Sequence, residues 1–115
     1  MLSGVYQAKK KDDTIYFRSA ITYSGKSISL GGFHTDEMAH EAYLYAGRLL
    51  AGKEITLTSY KKENPVLSFS KWVSLINFRD NGIYIKTPIY LFQKYFHYYF
   101  SPENYLIFDT DDLFY

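Results

Sequence analysis

At 115 residues and 13.5 kDa, the chain has room for one compact domain or two small ones and excludes a large enzyme. Apolar residues at 47 % and charged residues at 22 % exclude disorder, and a net charge of +1 gives no global attraction to nucleic acid or membrane. The absence of Cys excludes disulfides and thiolate metal sites and suits a reducing cytoplasm, and no apolar run approaches the roughly eighteen residues of a membrane span.

The N-terminal MLSGVYQAKKK puts its charges after a short apolar stretch, the wrong order for a secretory signal. Gly4–Lys10 alternates weakly, and Lys11-Asp12-Asp13-Thr14 is a turn cluster. Ile15–Tyr23 then reads as a strand, with Phe17, Ser19 and Ile21 on one face and Arg18, Ala20 and Thr22 on the other. Ser24-Gly25 is a hairpin signal. Lys26–Phe33 is a second alternating strand, with Ile28 and Leu30 inward and Ser27 and Ser29 outward. A three-stranded meander needs a helix over its apolar face.

That helix follows at once. Thr35 can cap it, and Asp36 and Glu37 suit the positive end of its dipole. Ala39, Ala42, Tyr43, Ala46 and Leu50 recur at helical spacing, with Glu37, Glu41 and Arg48 on the opposite side, and Gly52 stops the helix. The expected core joins Phe17, Ile21, Ile28, Leu30, Ala39, Tyr43 and Ala46. One sheet face is then covered and the other is bare, open to water, a partner or a ligand.

The residues Gly4-Val5, Phe17-Arg18-Ser19-Ala20-Ile21, Gly25-Lys26, Ile28-Ser29-Leu30-Gly31-Gly32-Phe33, Thr35, Glu37, Ala39 and Ala42-Tyr43 occur in an ordered series. The series resembles the ethylene-response-factor (Apetala-type) DNA-binding domain, which also occurs in bacterial and phage HNH homing endonucleases. The resemblance covers residues 3–51. It implies a sheet laid into the DNA major groove. The DNA face would comprise Tyr6, Ala8 and Lys10, then Arg18, Ala20 and Thr22, then Ser27 and Ser29, with Lys26 at the hairpin. Lys9, Lys10, Lys11, Arg18 and Lys26 would anchor phosphates. Plant members carry several Arg and Trp at these positions, where Arg can pair bidentately with guanine. This chain has small residues at most of them, which puts base-specific reading in doubt.

Charge is uneven along the chain. Residues 1–62 carry nine Lys/Arg against six Asp/Glu, and residues 63–115 carry four against six. Two readings remain open, ordinary surface variation or a basic N-terminal face. The expected organisation is α+β: a DNA-binding module over residues 1–57, a linker over 58–65, and an aromatic-rich region of mixed helix and strand over 66–115. In that region Leu67–Arg79 reads as a helix stopped by Asn81-Gly82, and Ile83–Phe100 as strands around Thr87-Pro88. Ser101-Pro102-Glu103 reads as a helix start. The segment YYFSPENYLIFDTDDLFY is similar to the entry segment of HNH-endonuclease-like proteins, which implies that more chain follows.

Catalytic and metal motifs fail on inspection. Ala20–Ser27 nearly matches a P-loop, but Ala20 replaces its first glycine and the stretch reads as a hairpin. His40-Glu41 starts an H-E-x-x-H motif that Leu44 breaks, and His34 and His97 lack partners at ligand spacing. Asp109, Asp111 and Asp112 lack the glycine turn and distal Glu of a calcium loop. No enzyme activity, metal or other cofactor is therefore expected. The run Tyr90–Phe100 offers either stacking on unpaired bases or, the favoured reading, core and interface.

Double-stranded DNA is thus the expected partner, and a membrane is not. The competing class is a protein-interaction module, using the bare sheet and the aromatic second half. Domains of the resembled kind also look like part of some anti-CRISPR proteins, which bind a CRISPR effector nuclease. The two classes differ in the charge they leave on the exposed sheet face.

Overall fold

The computed structural model describes residues 2–114. The chain divides into two compact units, one formed by residues up to Gly52 with Pro65–Leu67, the other by Lys53–Asn64 and the residues from Ser68 onward.

The first unit is a three-stranded antiparallel sheet, β1 (Val5–Lys9), β2 (Ile15–Tyr23) and β3 (Lys26–Phe33), followed by helix α1 (Asp36–Ala51). The β2–β3 turn is tight because Ser24 and Gly25 both adopt positive φ, 50° and 79°, which matches the twist of paired strands. The Thr35 hydroxyl accepts from the Met38 N–H and caps α1. Gly52 ends α1 in extended backbone and not in the left-handed conformation.

Helix α1 packs across all three strands. Ile28, Leu30, Ala39 and Ala46 are buried as the alternation predicts, whereas Phe17, Ile21 and Tyr43 are half-buried at the margin of that core. Fully buried Ala39, Ala42 and Ala46 bring the helix close to the sheet. A methyl added at Gly47 would lie 3.8 Å from Ile21 Cδ1. The pairing register shifts between Ser19 and Ala20, with Ser19 opposite Gly31 and Ala20 opposite Ser29. Leu30 is the extra residue of this bulge, so Gly31 and Phe33 return to the phase of Ser19 and Phe17.

The second unit contains the short helix α2 (Tyr60–Glu63), helix α3 (Phe69–Asn81) and a second antiparallel sheet, β4 (Ile89–Leu91), β5 (Tyr95–Ser101) and β6 (Asn104–Asp109). Helix α2 falls inside the stretch read as a linker, and its Tyr60 ring meets Phe69 and Trp72 edge-on at 5.1 and 5.2 Å. Helix α3 forms where expected, capped by Ser68 and stopped by Gly82 at φ 75°.

Two buried polar residues of α3 hold the irregular segment after it. Ser74 Oγ donates to the Lys86 and Thr87 carbonyls at 3.2 and 3.3 Å. Asn77 donates to the Ile83 carbonyl at 3.0 Å and accepts from the Leu91 N–H at 2.9 Å. Buried amides and hydroxyls must find such partners, and here they satisfy carbonyls of residues 83–87 and the Leu91 N–H of β4. Residues 83–88 are accordingly irregular, and of the strands expected over Ile83–Phe100 only β4 and β5 form.

One expectation is overturned. Ser101-Pro102-Glu103 does not start a helix: it turns β5 into β6, with Ser101 opposite Asn104. The fixed φ of proline serves the first position of a helix and the second of a β-turn equally well. Pairing with β5 decides between them, since Tyr105, Leu106, Ile107 and Phe108 favour a strand.

Candidate nucleic-acid interface

Opposite α1, the first sheet is uncovered. Strand alternation and the observed pairing place Tyr6, Ala8, Arg18, Ala20, Thr22, Ser27 and Ser29 on this open face, and Lys10 continues it beyond β1. Arg18 lies in the central strand between Tyr6 on β1 and Gly32 on β3. Ala20 is opposite Ser29, and Thr22 is opposite Ser27. Eight of the eleven residues assigned by resemblance therefore share one surface.

The other three do not. Lys9 is in phase with Val5 and Gln7, on the opposite face, and its Nζ lies 3.6 Å from Asp13. Lys11 lies in the β1–β2 turn, and Lys26 opens β3 in phase with buried Ile28. The strand period of two puts Lys9 and Lys10 on opposite faces.

Sequence reasoning also missed Tyr16, in phase with Arg18 and opposite Ala8. Lys10 Nζ lies 5.8 Å from the Tyr16 ring centre. A Cβ on Gly32 would approach Tyr16 Cε2 to 3.1 Å, so the absent side chain lets the ring lie across β3. Lys10, Tyr16, Gly32, Phe33 and His34 line an open hollow of about 260 Å³.

The strands of this surface carry charge of one sign. β1, β2 and β3 contain no Asp or Glu. The acidic residues nearest in sequence, Asp12 and Asp13, lie in the β1–β2 turn. The Thr14 hydrogen bonds hold the Asp12 carboxyl below its ordinary value. Arg18 thus projects from a face of hydroxyls, methyls and tyrosines whose strands hold no carboxylate, while Lys10, beyond β1, lies near enough to Asp12 for its charge to help lower that carboxyl. Chemically the face can donate to anionic oxygens, stack, and approach closely through its small residues.

The second unit has its own polar cluster. Arg79 Nε donates to Asp80 Oδ1 at 2.7 Å, Arg79 Nη1 to the Ile55 carbonyl at 2.7 Å, and the Tyr90 hydroxyl to Asp80 Oδ2 at 2.9 Å. Burial, then the Asp80 carboxylate, pushes the Tyr90 phenol up to about 12. These contacts tie the segment before α2 and strand β4 to α3, a structural arrangement. His97 lies among rings, 4.1 Å from Tyr105 and 4.5 Å from Phe92, and burial lowers its pKa. The aromatic run is thus largely occupied by its own packing, with Phe96 and Tyr99 buried.

Among the described residues, no group of three or more His, Asp or Glu could hold a metal, and no helix is long and apolar enough to cross a membrane. No family model matches this chain, and neither a curated protein nor a solved structure matches it significantly. The resemblance to the ethylene-response-factor domain rests on the quoted residues alone.

Proposed function

We propose that this protein binds duplex DNA with the open face of its first sheet. One observation carries the reading: a three-stranded surface with Lys10 and Arg18, exposed hydroxyls, and no carboxylate in any of its strands. Such a surface suits phosphate contact, which accounts for most of the affinity of nonspecific DNA binding and sets its salt dependence. Ala8, Ala20, Ser27 and Ser29 keep the face shallow, so its backbone can approach a groove closely. Arg18, at its centre, is the residue suited to a guanine edge.

A mobility-shift titration of the full chain against random-sequence duplex, at two salt concentrations, tests the reading. Binding that weakens steeply with salt supports it. No binding at low salt, or an affinity indifferent to salt, would favour a protein partner on the same face.

A further inference from the structure

The open face of the first sheet ends in the hollow lined by Lys10, Tyr16, Gly32, Phe33 and His34. Gly32 serves space there and not backbone. Its neighbour Gly31 holds φ at +121°, a conformation that favours glycine, whereas Gly32 has no positive φ. A Cβ on Gly32 would stand 3.1 and 3.2 Å from Tyr16 Cε2 and Cδ2, tighter than ordinary contact, so the glycine is what lets the ring lie where it does. Glycine inside a strand weakens it and often marks a close approach by a ligand or another group. Tyr16 is half-buried, so part of the ring stays open.

The lining combines flat apolar surface with donors. Lys10 and His34 are both exposed and can donate to an anion, and among the described residues that line the hollow none is a carboxylate. Lys10 Nζ lies 5.8 Å from the Tyr16 ring centre, near the roughly 6 Å limit of a cation–π contact, so the ammonium can turn to an anion beside the ring. Arg18, opposite Gly32, stands next to the hollow on the same face. At about 260 Å³ the space is smaller than the roughly 300–1,000 Å³ of pockets that enclose a drug-sized ligand. It suits a single ring held from one side, with the rest of the ligand running out along the sheet.

We propose that this hollow holds one unpaired nucleotide of the bound DNA, its base against the Tyr16 ring and its phosphate on Lys10 and His34. The inference rests on the DNA reading and names what the open face selects. A paired base has both faces covered by its neighbours in the duplex, so a base can lie on Tyr16 only when it leaves the stack. Leaving costs least where pairing is already lost. Stacking of a base on an aromatic side chain tolerates any base identity, which agrees with a face poor in residues that read sequence.

The test titrates the full chain with a perfect duplex and with the same duplex carrying a one-nucleotide bulge, both followed by fluorescence anisotropy. The expected preference for the bulge is about tenfold, within the range of one stacked base. Tyr16→Leu should bring that ratio close to one, and Tyr16→Phe, which keeps the ring, should retain it. Gly32→Val, which fills the hollow from an exposed position on an edge strand, should abolish the ratio as Tyr16→Leu does. Circular dichroism verifies the fold of each variant. Millimolar deoxyadenosine monophosphate separates a nucleotide in a strand from a free one. It should leave the ratio in place, because the strand delivers its own nucleotide at high effective concentration. A ratio that collapses with the free nucleotide would assign the hollow to mononucleotides and overturn the proposal. Equal, salt-dependent binding of the two duplexes, or a preference that survives both Tyr16→Leu and Gly32→Val, overturns it and leaves the DNA reading standing. Absence of binding to either duplex overturns both.

Discussion

The ring of Tyr43 fills the space that a side chain on Gly4 would need. A Cβ at Gly4 would fall 2.0 Å from Tyr43 Cδ1, and the residue also holds φ at +74°. Its carbonyl accepts from the Ala20 N–H at 3.0 Å, so this backbone is fixed to β2 while α1 presses on it. The segment entering β1 is therefore locked to both layers of the first unit by a residue with no side chain.

Gly4→Ala should lower the stability of the first unit substantially. Overpacking costs about 1–3 kcal/mol, and left-handed backbone adds roughly 1–2 kcal/mol for a residue with a Cβ. Urea denaturation would measure the loss. Tyr43→Ala should be less damaging in the Gly4→Ala background than alone, because it removes the clash. Additive effects would show that the ring yields instead.

Ser19→Ala should act in the opposite direction. Ser19 is fully buried between the sheet and α1, and its hydroxyl has no hydrogen-bond partner. An unsatisfied buried hydroxyl costs about 1–3 kcal/mol, and alanine retains the shape without that polar atom. A midpoint shifted to higher urea is the expected outcome. A loss of stability would show that the hydroxyl has a partner in solution.

Much of this core was legible in the sequence because short-range periodicity determines it. Ile28 and Leu30 alternate with serines, and Ala39, Ala42 and Ala46 recur at helical spacing, so each identifies its own face. The features that escaped depend on distant partners. The Leu30 bulge is visible only once β3 is aligned with β2. Ser74 and Asn77 appear as ordinary helix residues until the carbonyls of 83–87 lie beside them. Tyr105–Phe108 has no period, and only pairing with β5 makes it a strand. The open face was readable by alternation, but its extra residue Tyr16 becomes significant only with Gly32 across the ladder.

The Arg79–Asp80–Tyr90 cluster sets a pH window. Burial raises the Asp80 carboxyl, but hydrogen bonds from Arg79 and Tyr90 and the charges of Arg79 and Lys53 outweigh it and hold the group below 3.8. A carboxyl depressed by folding contributes stability that is complete above its unfolded value and is lost as pH falls through the folded one. Tyr90, raised from 10.0 to about 12, contributes fully below 10 and loses that contribution as pH climbs toward 12. Asp80→Asn should therefore flatten the acid limb of stability below about pH 4. It should also bring the Tyr90 phenol back toward 10, leaving only the share due to burial. Ultraviolet difference titration against Tyr90→Phe follows that proton, and an unchanged phenol would separate Asp80 from its shift.

If the open face contacts phosphates, the placement of each lysine decides its effect. Lys10→Ala and Arg18→Ala should each weaken binding to all duplexes similarly and flatten the salt slope by about one unit. Lys9→Ala should alter it much less, because Lys9 lies on the other face beside Asp13. Titrations over a range of salt concentrations distinguish the three. Equal effects from Lys9 and Lys10 would mean that the face plays no part in orienting the contact.

The composition of the same face limits how well it can read sequence. A good bidentate contact discriminates against a wrong base by about 1–3 kcal/mol, and Arg18 is the residue on this face able to make one. Thr22, Ser27 and Ser29 can bond bases or phosphates singly, and Ala8 and Ala20 can meet a thymine methyl. Such contacts are weak and tolerant. The ratio of specific to random binding should then be roughly tenfold to a hundredfold, against about 10³–10⁷ for typical specific binders. Groove shape can contribute through the close approach that small residues permit, but it favours deformable steps and not one fixed sequence. A binding selection from random duplexes with the full chain, repeated with Arg18→Ala, measures the ratio. The expected pool is broad, with a slight bias that the Arg18 variant loses. Recovery of one strong consensus of several consecutive base pairs would place the reading residues elsewhere than on this sheet.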